Sequence, residues 1–164
     1  MTLYAASVPV FRYYLGRADG MVALAPEAAL TVRLADAMTA GAQFATAAGY
    51  ALRVAFPLAG RAVPPQPEGP LTVAGLRARF AAVDALLAGL PEAEFADAGA
   101  RVIRHHAGFA ELDQDGATFL QLYGMPNFMF HLTMGYATLR AEGVPLGKAD
   151  FDGQHDYPPG FRFS

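Results

Sequence analysis

The segment from Ala117 to Leu139 constrains the fold most, because it contains no Asp, Glu, Lys or Arg and is long enough to span a bilayer as a helix. Within it, Gln121, Asn127 and His131 would each lose water in lipid, and Pro126 would interrupt the helix. A helix buried among other helices explains the same apolarity without these costs. The sequence therefore predicts a buried helix here and no membrane span.

Length and composition predict one packed domain that covers residues 1–164. Hydrophobic residues make up 54% of the chain and charged residues only 16%, which excludes a disordered chain. This composition indicates more packed apolar surface than an average monomer has. We therefore expect a homodimer.

Charge and cysteine content exclude several classes of partner and chemistry. The formal net charge is -3 and the basic residues are scattered, so the chain has no basic stripe that would bind nucleic acid. It has no cysteine, which excludes disulfides, thiolate nucleophiles and cysteine-rich metal sites. The segment Met1 to Val10 lacks the Lys or Arg of a signal peptide, so we expect a cytoplasmic location.

Four helices are predicted from apolar residues that recur at steps of three and four. They run from about Ser7 to Leu24, from Asp36 to Leu58, from a Thr72 cap to a stop at Pro91, and from Ala117 to Glu142 before Gly143. Asp36 is the expected N-cap of the second helix. Met125-Pro126 is expected to kink or break the fourth helix, because proline removes a backbone donor and clashes with the preceding turn.

The connections between these helices differ in character. The segment Ala59 to Pro70 contains four prolines and predicts a semi-rigid crossover between helices two and three. Between Arg101 and Asp115, two short apolar stretches flank a turn at Ala107-Gly108 and predict a small β-hairpin before helix four. The tail from Val144 to Ser164 is rich in Pro, Gly and aromatic residues and predicts ordered coil.

A polar stripe on the fourth helix is the most informative candidate site. It consists of residues at helical steps: Gly124, Asn127, His131, Gly135 and Thr138. Asn127 and His131 lie one turn apart, where they can hydrogen-bond each other or a ligand. The alternative is a core histidine satisfied by a backbone carbonyl.

The second helix carries a similar stripe. Its members are Thr39, Gln43, Thr46, Tyr50 and Arg53. Such a stripe is typical of a solvated helix face, but if it faces His131 it forms a polar pocket between helices. The candidate ligand-binding residues are therefore Asn127, His131, Gln43, Tyr50 and Tyr123.

Metal and nucleophile chemistry have little support in the sequence. The four histidines are His105, His106, His131 and His155, and no His-x-x-x-His pair occurs on any predicted helix. Adjacent histidines point to opposite faces of a strand. The chain also lacks a Gly-x-Ser-x-Gly elbow and a phosphate-binding Gly-x-x-x-x-Gly-Lys loop. We therefore predict no metal and no cofactor, and no catalytic residue is assigned.

Three segments carry a resemblance to a known family: Tyr4 to Phe11, Pro126 to Thr133, and Gly143 to Phe151. Together they resemble the bacterial domain-of-unknown-function family 1993, within the DinB/YfiT-like superfamily, in the same order across nearly the whole chain. The resemblance implies an all-α fold, an up-down-down-up four-helix bundle with a long crossover between helices two and three. Enzymes of the superfamily hold a divalent metal with three histidines, one on helix two and two on helix four. This chain has only His131 there, so no metal site is carried over.

Three functions remain open from the sequence. The first is a DinB-like protein that binds a small molecule or peptide in a pocket lined by helix four, without a metal triad. The second is a divergent enzyme of the same superfamily, a thiol-dependent transferase or hydrolase, with His131 as general base or as a lone metal ligand. The third is a structural or interaction homodimer with no ligand.

Overall fold

Helices dominate the computed structural model, which describes residues 1–158. Four helices are long, and the remaining elements are short. In chain order the elements are α1 (Val8–Ala23), α2 (Glu27–Leu30), α3 (Ala40–Leu58), α4 (Val73–Ala88), a 3₁₀ turn (Glu92–Phe95), β1 (Val102–Ala107), β2 (Ala110–Asp115), α5 (Gly116–Thr118), a π-helical segment (Phe119–Gly124), α6 (Met125–Ala141) and α7 (Lys148–Asp152).

The second predicted helix begins later than expected, and Asp36 does not cap it. The side chain of Thr39 accepts a hydrogen bond from the Ala42 amide at 3.2 Å and is the N-cap of α3. Before the helix, an antiparallel bridge pairs Arg33 with Thr39. Asp36 therefore lies in an exposed loop between these two residues. The four-residue helix α2 was not predicted.

The third helix begins as the sequence predicts. Thr72 caps α4 by accepting a hydrogen bond from the Gly75 amide at 3.1 Å. The proline-containing segment 59–70 has no helix or strand and connects α3 to α4, as the prolines predict. The helix ends at Ala88, ahead of the expected stop at Pro91.

The fourth predicted helix continues through Pro126 instead of breaking there. Its path runs as α-helix, changes to π-helix over Phe119–Gly124, and returns to α-helix at Met125. Pro126 has no amide to donate, and the π-helical bonding ends at Gly124, two residues before it. The sequence therefore located the irregularity, and its form is a wider turn just before the proline.

The predicted β-hairpin is present. Strands β1 and β2 pair antiparallel from Val102 with Asp115 to Ala107 with Ala110. The two-residue turn has Gly108 at its first central position with φ of 60°, which is the conformation that type II′ turns require.

The chain after α6 contains a helix that was expected to be coil. Gly143, at φ of 80°, ends α6, and the amides of Gly143 and Val144 donate to the carbonyls of Arg140 and Leu139 in a Schellman motif. α7 then packs against α1, where Arg17 donates to two of its carbonyl oxygens. The prediction of coil for the whole tail was therefore wrong at Lys148–Asp152. Residues 159–164 of the tail lie outside the described part.

The core forms where α3 packs against α6 and α4, and where α1 packs against α4. The rings of Phe44 and Phe80 meet edge to face, as do those of Phe11 and Phe128. α6 approaches α3 closely, because a Cβ at Gly135 would lie 2.9 Å from the ring of Phe44. Among residues 1–158, no helix combines the length and apolar character that crossing a membrane requires.

Candidate functional site

A buried polar pair joins α3 to α6. Gln43 is 2% exposed and His131 is 9% exposed, and the Gln43 Oε1 atom lies 2.7 Å from the His131 Nδ1 atom. The two residues are 88 positions apart in the sequence. The polar stripes of the second and fourth predicted helices therefore meet at this pair, inside a contact made mostly of apolar side chains.

The pair fixes the protonation of His131. Because a carbonyl oxygen only accepts, Nδ1 carries the proton and Nε2 presents a lone pair. Burial, and next the positive charge of Arg53, lower the pKa of His131, which favours the neutral ring at pH 7. A neutral imidazole that accepts at Nε2 is suited to bind a ligand hydroxyl or amide.

Two outer atoms of the pair remain free for a ligand. The Nε2 atom of His131 and the amide nitrogen of Gln43 make no hydrogen bond within the described chain. One is an acceptor and the other a donor, so they form a complementary pair at the α3–α6 contact.

Asn127 makes no hydrogen bond to His131 in the described structure, although the sequence places both on one helix face. Its amide nitrogen donates to the carbonyl oxygen of Tyr123 at 2.7 Å, one turn earlier in the same chain segment. Asn127 makes this bond to a residue four positions earlier in its own helical segment. Asn127 therefore stabilises the start of α6, and its remaining oxygen is the part of the side chain that could meet a ligand.

Tyr50 forms one wall of the site. Its ring stacks on the His131 ring at 5.4 Å between centroids, and the guanidinium of Arg53 lies 4.3 Å from the centre of the same ring. Tyr50 also meets Tyr123 edge to face at 5.9 Å. The stripe on α3 thus supplies Gln43, Tyr50 and Arg53 to the site.

Tyr123 extends the aromatic row from α3 to the hairpin. Its hydroxyl donates to the His106 carbonyl oxygen at 3.0 Å, and its ring lies 4.1 Å from the ring of His105. Burial, then a hydrogen bond with Tyr50, raises the pKa of Tyr123 to about 12. Tyr123 is therefore a neutral hydrogen-bond donor at physiological pH.

The other members of the predicted α3 stripe serve local structure. Thr39 caps the helix, and the hydroxyl of Thr46 contacts the sulfur of Met38 at 4.0 Å. The sequence did not identify His105 as a neighbour of the site, because its proximity depends on how the hairpin packs against Tyr123. The adjacent-histidine pattern did indicate that only one of His105 and His106 faces inward.

Histidines and carboxylates do not converge in the described part of the chain. Within residues 1–158, no three His, Cys, Asp or Glu side chains come together as metal ligands do. His106 lies 3.8 Å from Glu111 on the exposed hairpin, and His155 bonds to Asp152 near α7. The nearest hydrogen-bonding partner of His131 is an amide oxygen, a weaker ligand for transition metals than imidazole or thiolate.

The fold and the helix-borne site define a DinB-like helical protein. A crystal structure of a DinB family member from Shewanella denitrificans superimposes with a TM-score of 0.81, at 28% sequence identity, over 95% of this chain and 94% of that chain. The chain belongs to the family described as Domain of unknown function (DUF1993), whose model matches residues 3–152. No curated protein matches the chain.

Proposed function

We propose that this DinB-like protein binds a small organic molecule between α3 and α6, without a metal. The observation that carries the proposal is the buried Gln43–His131 pair, whose outer donor and acceptor make no hydrogen bond within the described chain. A pair that served packing alone would bond these atoms as well, because buried polar groups normally use their hydrogen-bonding capacity within the protein.

The ligand that fits this pair carries a donor and an acceptor side by side. Such a group, for example a primary amide or an amide of a peptide, donates to His131 Nε2 and accepts from the Gln43 amide nitrogen. The ring of Tyr50 offers an apolar wall beside His131. Tyr123 and the free amide oxygen of Asn127 are the further candidate contacts.

Ligand-observed NMR with a library of small amides, alcohols and short peptides tests this proposal. We expect a subset of compounds to bind the wild-type chain and to lose binding in His131→Ala. His106→Ala is the matched control, since His106 lies on the exposed hairpin. Identical binding by the wild type and His131→Ala across the library would reject the α3–α6 site.

A second candidate is a divergent enzyme of the superfamily in which His131 is a general base. The observation that favours it is the neutral ring with a lone pair on Nε2, which can take a proton from a bound thiol or hydroxyl. Assays for thiol transfer and hydrolysis, together with metal analysis of the purified protein, separate the candidates. A stoichiometric divalent metal lost in His131→Ala would favour the enzyme.

The proposal also covers the topology of the helices and the oligomeric state of the protein. We propose that the four long helices form an up-down-down-up bundle, supported by the crossover between α3 and α4, and that two copies associate through apolar helical surface. Leu122 and Phe130 support the second point, being 73% and 56% exposed. Light scattering at micromolar concentration should give twice the chain mass of 17.3 kDa. The cytoplasmic location stays a prediction from the sequence.

A further inference from the structure

A cavity of about 300 Å³, which shares Arg53 and Tyr123 with the candidate site, lies between the C-terminal half of α3, strand β1 and the π-helical segment. Its apolar lining includes Val63, Ile103 and Phe119, and its polar lining includes Arg53, His105 and Tyr123. This volume is at the lower end of the range for small-molecule sites, about 300 to 1,000 Å³. The Gln43–His131 pair does not line it.

The charges around the cavity are unbalanced. None of the residues that line it is Asp or Glu. Arg104, which also lines it, is neutralised by two hydrogen bonds of 2.9 Å to Asp113. Arg53, in contrast, has no carboxylate within 4.0 Å among the residues that the structure describes. Because arginine stays charged at all physiological pH values, Arg53 is a cation without a counter-ion at the cavity wall.

Hydrogen bonding at the cavity is also incomplete. Within the described residues, three buried side-chain atoms lack a partner, and two of them are the Nε atom of Arg53 and the Nδ1 atom of His105. The other ring nitrogen of His105 donates to the Gln114 Oε1 atom at 2.9 Å, so Nδ1 is an acceptor that a carboxylate oxygen does not satisfy. The Nε atom of Arg53 is an unpaired donor, and since such buried atoms are rare in folded proteins, it indicates a place where another molecule completes the bonding.

Arg53 is held in position for a planar acid group. The Tyr50 ring supports its guanidinium at 4.3 Å, and Tyr50 is itself fixed between His131 and Tyr123. The terminal nitrogens of Arg53 make no hydrogen bond within the described structure. They present the paired donors that a carboxylate accepts in bidentate fashion.

We propose that this cavity binds a small organic carboxylate. The acid group pairs with the Arg53 guanidinium, and the apolar body of the ligand lies against Val63, Ile103 and Phe119. One unpaired arginine matches a single negative charge, whereas a phosphate dianion would keep an excess charge in a partly apolar cavity. The proposal does not depend on ligand binding by Gln43 and His131.

NMR titration of the full chain with benzoate tests the site, with benzamide as a neutral analogue of the same shape and inorganic phosphate as a charge without an apolar body. Ionic strength is held constant. We expect benzoate to shift the amide signals of Val63 and Ile103, and benzamide to act on these two signals at least about tenfold more weakly, since charge-assisted bonds are the stronger ones. Benzamide shifts confined to the surroundings of Gln43 and His131 report the α3–α6 site and do not count as binding in the cavity. Phosphate should not compete effectively with benzoate.

Variants of Arg53 test whether its guanidinium is the group that binds benzoate. Arg53→Gln should weaken benzoate binding at least about tenfold, and Arg53→Lys should weaken it less, because it keeps the charge but loses the planar fork. Arg140→Gln is the matched control, since Arg140 also lies over a tyrosine ring, that of Tyr136 at 5.8 Å, but does not line the cavity. It should bind benzoate as the wild type does.

Several results would overturn the proposal. These are absence of benzoate binding to the wild type, equal binding of benzoate and benzamide, equal binding by Arg53→Gln and the wild type, or phosphate that binds as tightly as benzoate. If Arg53→Gln fails to fold, Arg53→Lys and the comparison of benzoate with benzamide on the wild type still decide the question.

Discussion

Two helix contacts in this molecule are built in different ways. Where α3 packs against α6 and the π-helical segment before it, glycines allow close approach: Gly124 faces Val54, and Gly135 faces the ring of Phe44. The polar groups in that contact, Gln43 and His131, are buried and bonded to each other. The contact therefore tolerates little change in shape or in hydrogen bonding.

The contact between α1 and α4 is closed at the solvent edge by charge pairs. Arg12 bonds to Asp84 through two hydrogen bonds of 2.7 and 3.1 Å, and Arg77 bonds to Asp19 through two of 2.9 and 3.1 Å. These four side chains line an open groove of about 450 Å³. Because water can bond to these exposed charged groups in place of their partners, loss of a charge pair should change the free energy of unfolding little.

The difference teaches where the protein is sensitive to substitution. Polar groups in the α3–α6 contact cannot return to water when their partner is removed, whereas those at the α1–α4 edge can. Hydrogen bonds of similar length therefore contribute differently to the free energy of unfolding. The following predictions test this contrast, beginning with the largest expected effect.

The largest effect is expected from filling the space at Gly135. A Cβ there would lie 2.9 Å from Phe44, which is fully buried and also meets Phe80. Gly135→Val should reduce the free energy of unfolding by about 3 kcal/mol, the upper end of the usual cost of overpacking. Urea unfolding measures it.

Gly16 on α1 provides the control. A Cβ at Gly16 would meet nothing within 4 Å, so Gly16→Val should change stability by no more than about 0.5 kcal/mol. Equal losses in the two variants would show that close approach of α6 to α3 is not what distinguishes the contacts.

The next effect concerns the buried pair. Gln43→Leu or His131→Leu leaves one buried polar group without its partner and should cost about 1 to 3 kcal/mol. The double variant should cost less than the sum, because no unpaired group remains. Denaturant unfolding of the four proteins gives the coupling energy. Gln121→Leu, at an exposed position, is the control for the change of residue type. Additive losses would contradict the pairing.

The pH dependence of stability should follow His131. Its pKa is lowered in the folded state by burial and by Arg53, so the unfolded chain takes up the proton first as pH falls below the ordinary value of about 6.5. The contribution to stability is therefore full above that pH and is lost as pH decreases. Thermal unfolding between neutral and acidic pH measures it.

A comparison of two histidine variants separates the contribution of His131 to the pH dependence of stability from that of other groups. We expect a flatter pH profile in His131→Leu than in the wild type. His106→Leu should keep the wild-type slope, since His106 is exposed on β1. A wild-type slope in His131→Leu would mean that other groups cause the acid sensitivity.

Local rules explain why the long helices could be predicted. Apolar steps of three and four, the Thr72 cap and the prolines of segment 59–70 each act within one or two turns of chain. α2 has only four residues, too few to show a period. α7 depends on Arg17 of α1 and on the packing of Phe151 against Tyr14, which no local pattern reveals.

The candidate site could be predicted only as two separate stripes. Periodicity placed Gln43 and Tyr50 on one helix and His131 on another, but the pairing of helix faces depends on tertiary packing. For that reason the sequence leaves Asn127, a ligand or a backbone carbonyl as the partner of His131, and the observed partner is Gln43. Asn127 instead bonds to the Tyr123 carbonyl. The roles of these residues in ligand binding stay predictions.

The smallest effect is expected at the α1–α4 edge. The side chains of Arg12 and Asp84 are 43% and 39% exposed, so their bidentate bond competes with water and is screened by salt. A double-mutant cycle with Arg12→Ala and Asp84→Ala should give a coupling energy of no more than about 1 kcal/mol, which decreases further in high salt. The coupling between Gln43 and His131, being buried and between uncharged groups, should change little with salt. If the Arg12–Asp84 coupling exceeds that of the buried pair, the ranking of the two contacts is wrong, because charge pairs at the surface would then hold the helices together more strongly than the polar pair in the core.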